Sequence, residues 1–347
     1  MNDSSNDLLA GWLLRQAGRA ADDSVRTVCL LDSRGCARRV PWARDVEQLT
    51  VAWRSGGQWL VDDVRAGSVC IRPETNLAGE PRDDVDLDME LLSGPPVDAE
   101  AMEELAIRGG LIRAIQICGA LDRMVGLCVD HASTRQQFGR SIGRFQAVRT
   151  MLADAASESA LANAATVAAV DSAANGSPDP FAVAVAVARS CATHAAASVS
   201  RIAHQIRGAI GTTAEHDLHR YTLAAQAWRS EFGSTAQWDD LVGGIAARSG
   251  RRGAMGAACR LTGARPVESR PGPSLLRFPP PGTYPARVTF VVSGPGGVRL
   301  AVPRPVPAPG RAPDGFFAES LAPALSAEGT RTGNGGRAPR TRGRGRR

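Results

Sequence analysis

Within twelve positions, Arg135 to Gln146 (Arg-Gln-Gln-Phe-Gly-Arg-Ser-Ile-Gly-Arg-Phe-Gln) bring together groups that suit a ligand. The Arg135 guanidinium is a planar fork matched to two phosphate oxygens. Phe138 offers an apolar face to a ring, and the Gln146 amide can both donate to and accept from a base or ribose edge. The residue types also allow a purely structural reading, in which Arg135 pairs at a helix end, Phe138 is core and Gln146 is solvated. A second chemistry-bearing stretch runs from His204 to His219 and includes Gln205, Gly208, Ala209, Gly211, Glu215, His216 and His219. Its two spaced histidines lack further His or Cys neighbours, so no metal site is expected. A third, Trp228-Arg229-Ser230-Glu231-Phe232-Gly233-Ser234, places one carboxylate, Glu231, in a turn.

Arg135-x-x-Phe138-Gly139 followed by Phe145-Gln146 resembles the flavin-binding signature of the acyl-CoA dehydrogenases. His204-Gln205-Ile206-Arg207-Gly208-Ala209-Ile210-Gly211-Thr212-Thr213-Ala214-Glu215 resembles that family's H-Q-x-x-G-[GA]-x-G-x-T-x-E stretch. The resemblance covers roughly residues 8 to 247. It implies an FAD site in which Arg135, Phe138 and Gln146 of one subunit meet Gln205, Gly208 and Ala209 of a neighbour, since glycine lets backbone approach phosphate. It further implies an acyl-CoA substrate, a homodimer, homotetramer or hetero-oligomer with a related subunit, and an electron-transfer flavoprotein as acceptor.

The family's reaction removes a proton from the thioester α-carbon while the β-hydrogen leaves as hydride to the flavin, which requires a carboxylate in a dry pocket. The resemblance points to Glu231 as that base. An ungapped alignment from Gln205, however, puts Phe232 at the base position, with Glu231 one residue early. The family's other base position falls near Arg108-Gly109-Gly110, where there is no carboxylate, and Glu103 and Glu104 are more than a turn away. His204 is expected to orient Gln205, and Glu215 to favour a helix start. The family's T-E-x-x-x-G-S-D type segment around the flavin ring is not found. Two readings therefore stand: a dehydrogenase in its own right, and a non-catalytic partner subunit or inactive truncated fragment that contributes to a composite FAD site.

The elements that must position these groups follow from periodicity. Leu8 to Gly18 reads as a short amphipathic helix ending at glycine, and resembles the last helix of the family's N-terminal helical domain (1–24). Between Val25 and Leu92, Val25–Leu31, Leu49–Trp53, Gln58–Val64 and Ser68–Arg72 read as strands of a small antiparallel sheet, similar to part of the family's middle β-domain (25–94). Ser93-Gly94-Pro95-Pro96 reads as a linker, because proline cannot donate to a ladder. From 95 to 247 the spacing of Leu105, Ile112, Ile115, Leu121, Val125 and Val129 predicts a long helix from Ala99 to about Thr134, with Asp98 as N-cap. Helices near 144–173, 181–208, 215–229 and 234–247 follow. Small residues on the second and third predict close packing, so the fold class is α+β, mostly α: a β-domain remnant and an antiparallel four- or five-helix bundle.

The basic residues are all arginine, 41 of them in 347 residues, and their distribution is uneven. Arg248 to Arg347 holds 18 Arg against 4 acidic residues, a net of +14, which leaves −8 for the rest. An acidic folded part gives no reason to expect nucleic-acid binding by it. The Pro-, Gly- and Arg-rich stretch from 248 to 347 is too poor in apolar surface to offset chain entropy and reads as disordered. It is read as a non-native continuation, with a basic RNA-binding or surface-binding tail as the alternative; one marginal hairpin is expected at Val288–Val292 and Val298–Val302. The seven cysteines lack zinc or redox spacing and are expected to be reduced, mostly buried residues. With neither a leader signature nor an apolar run of about 18 residues, a cytoplasmic location without a membrane span is expected.

Overall fold

In a computed structural model, residues 4–174, 178–213 and 215–247 are described, together with the strands at 289–291 and 299–301. The predicted tail from Arg248, apart from those strands, lies outside the described residues, as do Cys259 and the break at Asn175-Gly176-Ser177. The chain divides into units Met1–Arg277 and Phe278–Arg347.

The first unit opens with α1 (Ser4–Gln16), which buries Leu9, Trp12, Leu13 and Leu14. It stops where Gly18 takes φ +70, while Arg19 N–H bonds Leu14 O at 2.9 Å and Gly18 N–H bonds Arg15 O at 3.0 Å. This is a Schellman stop, in which a left-handed glycine lets orphan carbonyls be satisfied.

Seven strands follow: β1 (Arg26–Leu30), β2 (Cys36–Pro41), β3 (Gln48–Ser55), β4 (Gln58–Arg65), β5 (Cys70–Arg72), β6 (Arg82–Asp86) and β7 (Pro96–Val97). They form two sheets rather than the one expected, ordered β1-β3-β4-β7 and β2-β6-β5. The first is not wholly antiparallel, since β1 pairs with β3 in parallel from Arg26↔Gln48 to Leu30↔Ala52. The cause is topological: β2 leaves for the second sheet, so the chain re-enters the first in its original direction. β3 and β4 turn through Gly56 and Gly57, both at positive φ, as the twist of a two-residue hairpin demands.

Pro96, read as linker, pairs with Leu60 instead. Proline is tolerated there because β7 is an edge strand beginning at that residue. Gly94 is needed beside it, since an added Cβ would lie 1.9 Å from Val61 O.

The bundle comprises α2 (Ala99–Thr134), α3 (Gln146–Ala174), α4 (Pro178–Arg207), α5 (Leu218–Trp228) and α6 (residues 235–247). Leu105, Ile112 and Leu121 are buried as their spacing predicts, whereas Val129 is exposed. Asp98 occupies the N-cap position of α2 without a side-chain capping bond. α3 buries Ala155, Ala162 and Ala169 and α4 buries Ala188, Ala192 and Ala195 in one core, small side chains that permit close helix packing. Contrary to the sequence expectation, α4 is long and apolar enough to cross a membrane, but 56% of that window is buried in the protein. It also carries Arg189, fully buried among its alanines.

In the second unit, β10 (Thr289–Val291) and β11 (Arg299–Ala301) pair antiparallel, as the hairpin pattern predicted.

Candidate functional site

The turn between α2 and α3 is a miniature hairpin. β8 (Gln136–Gln137) pairs with β9 (Arg140–Ser141), joined by Phe138 at φ +50 and Gly139 at φ +74. Two consecutive left-handed residues make the turn twist with its strands, and only the second is a residue that adopts this conformation freely. Phe138 is thus held in a strained conformation with its ring 90% exposed. Phe145 meets it edge-on at 6.1 Å, and the Arg140 guanidinium lies 4.2 Å from the Phe145 centroid.

Arg135 ends α2, its N–H bonding His131 O and its carbonyl accepting from Ile142 N–H, both at 2.8 Å. Its exposed guanidinium has no ion-pair partner among the described residues. Gln146 begins α3, exposed, with a long 3.4 Å bond to Thr150. The structural alternative of a paired Arg135 and a buried Phe138 is therefore not what is found.

The end of α4 adds to this surface. Gln205, Gly208 and Ala209 are exposed, and Gly208 takes φ +68 as the helix gives way to a 3-10 turn. The His131 imidazole has its pKa lowered by burial and then by the positive Arg207 and Arg135, so one arginine of each motif lies within electrostatic reach of the same ring. His204 does not orient Gln205; its Nε2 meets Thr222 Oγ1 at 3.1 Å and ties α4 to α5. Glu215 is exposed and does not open a helix; His216 Nδ1 instead accepts Leu218 N–H at 3.1 Å at the start of α5. Among the described residues there is no group of three metal-ligating side chains.

Glu231 lies elsewhere, in the turn between α5 and α6. Arg82 of β6 donates to it through Nε at 2.8 Å, and Arg113 of α2 through Nε at 2.7 Å. Arg82 is also bound to Glu80 at 3.0 Å, which accepts from Trp228 Nε1 and Asn76. Burial pushes the Glu231 carboxyl up, but the guanidiniums of Arg113 and Arg82 outweigh it and hold the group below its ordinary value. The backbone of the turn is fixed from α4: Arg189 donates to the carbonyls of Arg229, Glu231 and Gly233 at 3.2, 2.9 and 3.4 Å. Its own pKa is pushed down to about 10, chiefly by burial and next by Arg113.

Phe232, at φ +55, packs against α2 where Gly109 has no side chain; a Cβ there would lie 2.3 Å from the ring. Gly110 likewise admits Trp238. The two family base positions, at Phe232 and near Arg108-Gly109-Gly110, are thus brought together, with Phe232 against Gly109. Glu231 and Phe232 also line a cavity of about 270 Å³ between α1, the strands and α2.

Arg82, Arg113 and Arg189 were not singled out from the sequence. Two of them had a visible signal: Arg113 interrupts Leu111-Ile112-Arg113-Ala114, and Arg189 interrupts a run of Ala and Val. A lone arginine on an apolar helix face needs a buried partner.

Residues 101–241 match the family described as acyl-CoA dehydrogenase, C-terminal domain. Acyl-CoA dehydrogenase FadE34 of Mycobacterium tuberculosis is 29% identical over 217 residues, 60% of this chain and 29% of that protein. Acyl-CoA dehydrogenase IpdE2 of Mycolicibacterium smegmatis is 34% identical over 145 residues, 41% of this chain and 44% of that protein. The chain thus spans less than half the length of these curated relatives. In the crystal structure of the ChsE4-ChsE5 complex from Mycobacterium tuberculosis, a chain shares the fold with a TM-score of 0.55 and 23% identity, covering 64% of this chain and 66% of that one.

Proposed function

We propose, from the premise that this chain belongs to the acyl-CoA dehydrogenase family through its helical domain, that it serves the α,β-dehydrogenation of an acyl-CoA thioester with FAD as hydride acceptor. The observation that carries this is the exposed, strained turn with an Arg135 guanidinium that has no ion-pair partner among the described residues. These residues fit the pyrophosphate of FAD: Arg135 supplies a fork of donors, and Gly208, contributed by a neighbouring copy, a backbone that can approach closely. Phe138 and Gln146 would take a ring face and a polar edge, with Gln205 and Ala209 contributed across a subunit contact. When bound, FAD would supply the two-electron acceptor. An electron-transfer flavoprotein is the proposed onward acceptor.

On this reading Glu231 removes the α-proton at a carboxylate oxygen, and one arginine must first release that oxygen. A second reading has specific support: both Glu231 oxygens are engaged, and the Phe232 ring fills the notch at Gly109. It makes this chain the partner subunit that completes a composite flavin site without a base of its own. The ChsE4-ChsE5 relative is a complex of two differently named chains, which supports such an assembly.

Arg135→Ala should weaken FAD retention by about 1.5–3 kcal/mol, whereas Arg140→Ala, whose guanidinium stacks on Phe145, should change it little. Equal flavin content in wild type and Arg135→Ala after gel filtration would overturn the cofactor assignment. In the flavin-loaded assembly, Glu231→Gln separates the two readings: loss of flavin bleaching by an acyl-CoA supports the base, and unchanged bleaching supports the partner subunit.

A further inference from the structure

The cavity beside Glu231 has a feature that neither the flavin nor the proton transfer uses. In β2 the pairing slips between Ala37↔Val85 and Val40↔Asp83, so Arg38 and Arg39 both stand opposite Asp84. Such a bulge re-aims side chains. With regular alternation Arg39 would share the buried face of Ala37; instead Ala37 and Val40 are buried and both arginines are exposed. Arg39 sits at φ +58, a conformation that an arginine rarely adopts, and its N–H is pinned to Asp84 Oδ1 at 3.1 Å.

Three arginines line the cavity, and they differ in commitment. Arg38 is paired with Asp84, and Arg82 with Glu231 and Glu80. The Arg39 guanidinium has no hydrogen bond or ion pair among the described residues. Much of the remaining wall is apolar, including Leu9, Val28, Leu30 and Leu105. The cavity, of about 270 Å³, has room for a short acyl group. With Glu231 already answered by Arg82 and Arg113, Arg39 is the lining guanidinium left to attract an anion that enters the cavity.

We propose that Arg39 is a specificity-determining residue that binds a carboxylate at the far end of a short acyl group, so that the preferred substrates are thioesters of dicarboxylic acids. This rests on the acyl-CoA reading above.

The test compares glutaryl-CoA with pentanoyl-CoA, matched in length, by calorimetric titration of the full chain as purified. Wild type should bind glutaryl-CoA about tenfold tighter or more, as a charge-assisted pair allows. Arg39→Gln should abolish the difference and leave pentanoyl-CoA affinity unchanged, and Arg39→Lys should restore part of it. Equal wild-type affinities, or a preference that survives in Arg39→Gln, would overturn the inference while leaving the acyl-CoA reading intact. Equal weakening of both ligands by Arg39→Gln would assign Arg39 to the coenzyme phosphates and also overturn it. Failure of both ligands to bind wild type would remove the acyl-CoA reading and the inference with it.

Discussion

The two places where arginine chemistry concentrates are built in opposite ways. Around Glu231, Arg82 and Arg113 are 2% and 0% exposed and their charges are answered inside the chain. At the α2–α3 turn, Arg135 and Phe138 are exposed, and Phe138 is held in a strained conformation that gains it only one edge contact. A buried ion pair must be matched within the fold or the fold fails. Strain at an exposed turn that makes few contacts of its own is a reason to expect a function there. The inner group is therefore expected to govern stability first, and the outer group to govern binding.

Removing a partner from the inner group should produce the largest effect. Arg113→Ala leaves Glu231 buried with one guanidinium, and the loss is expected at about 3–5 kcal/mol, read as a shift of the urea midpoint. The same group predicts an acid limb. Glu231 is held below its ordinary 4.5, so its contribution is present above that pH and is lost as pH falls through the lower folded value. Glu231→Gln should flatten the stability profile below the ordinary 4.5. A profile parallel to wild type would show that the ion pairs do not couple to folding.

Much of this contrast was hidden in the sequence, for physical reasons. The helices were legible because apolar residues recur near 3.6, and the outer turn because its motif is contiguous. β2 and β6 were missed: Cys-Ala-Arg-Arg-Val-Pro and Arg-Asp-Asp-Val-Asp carry consecutive charges that fall on both faces of a strand, and the bulge at Arg38 and Arg39 breaks the alternation. The inner group was illegible as a group because its pairs span 149 and 118 positions. Glu231 alone reads as a free acid; only the fold brings the arginines to it.

A mid-sized effect should come from the notch under the turn. Gly109→Ala places a Cβ 2.3 Å from the Phe232 ring, and overpacking of this kind costs about 1–3 kcal/mol. Phe232→Ala alone empties the notch and also destabilises. The double variant should be more stable than the sum of the two losses predicts, because the methyl then enters vacated space. Strict additivity in chemical denaturation would mean that the ring does not rest on Gly109, and the turn would be free to carry Glu231 elsewhere.

The smallest stability effect, with the largest consequence for the comparison, is expected at Phe138. Phe138→Gly relieves a left-handed conformation costing about 1–2 kcal/mol, but gives up an exposed edge contact and adds about 0.4–1 kcal/mol of unfolded-chain entropy. These nearly cancel, so the midpoint should stay within about 1 kcal/mol of wild type. Flavin retention should nevertheless fall, because glycine keeps the turn and removes the apolar face. If Phe138→Gly instead unfolds the protein several degrees early and binds flavin normally, the outer turn is structural after all. The division between an inner group that holds the fold and an outer group that holds a ligand would then have to be abandoned.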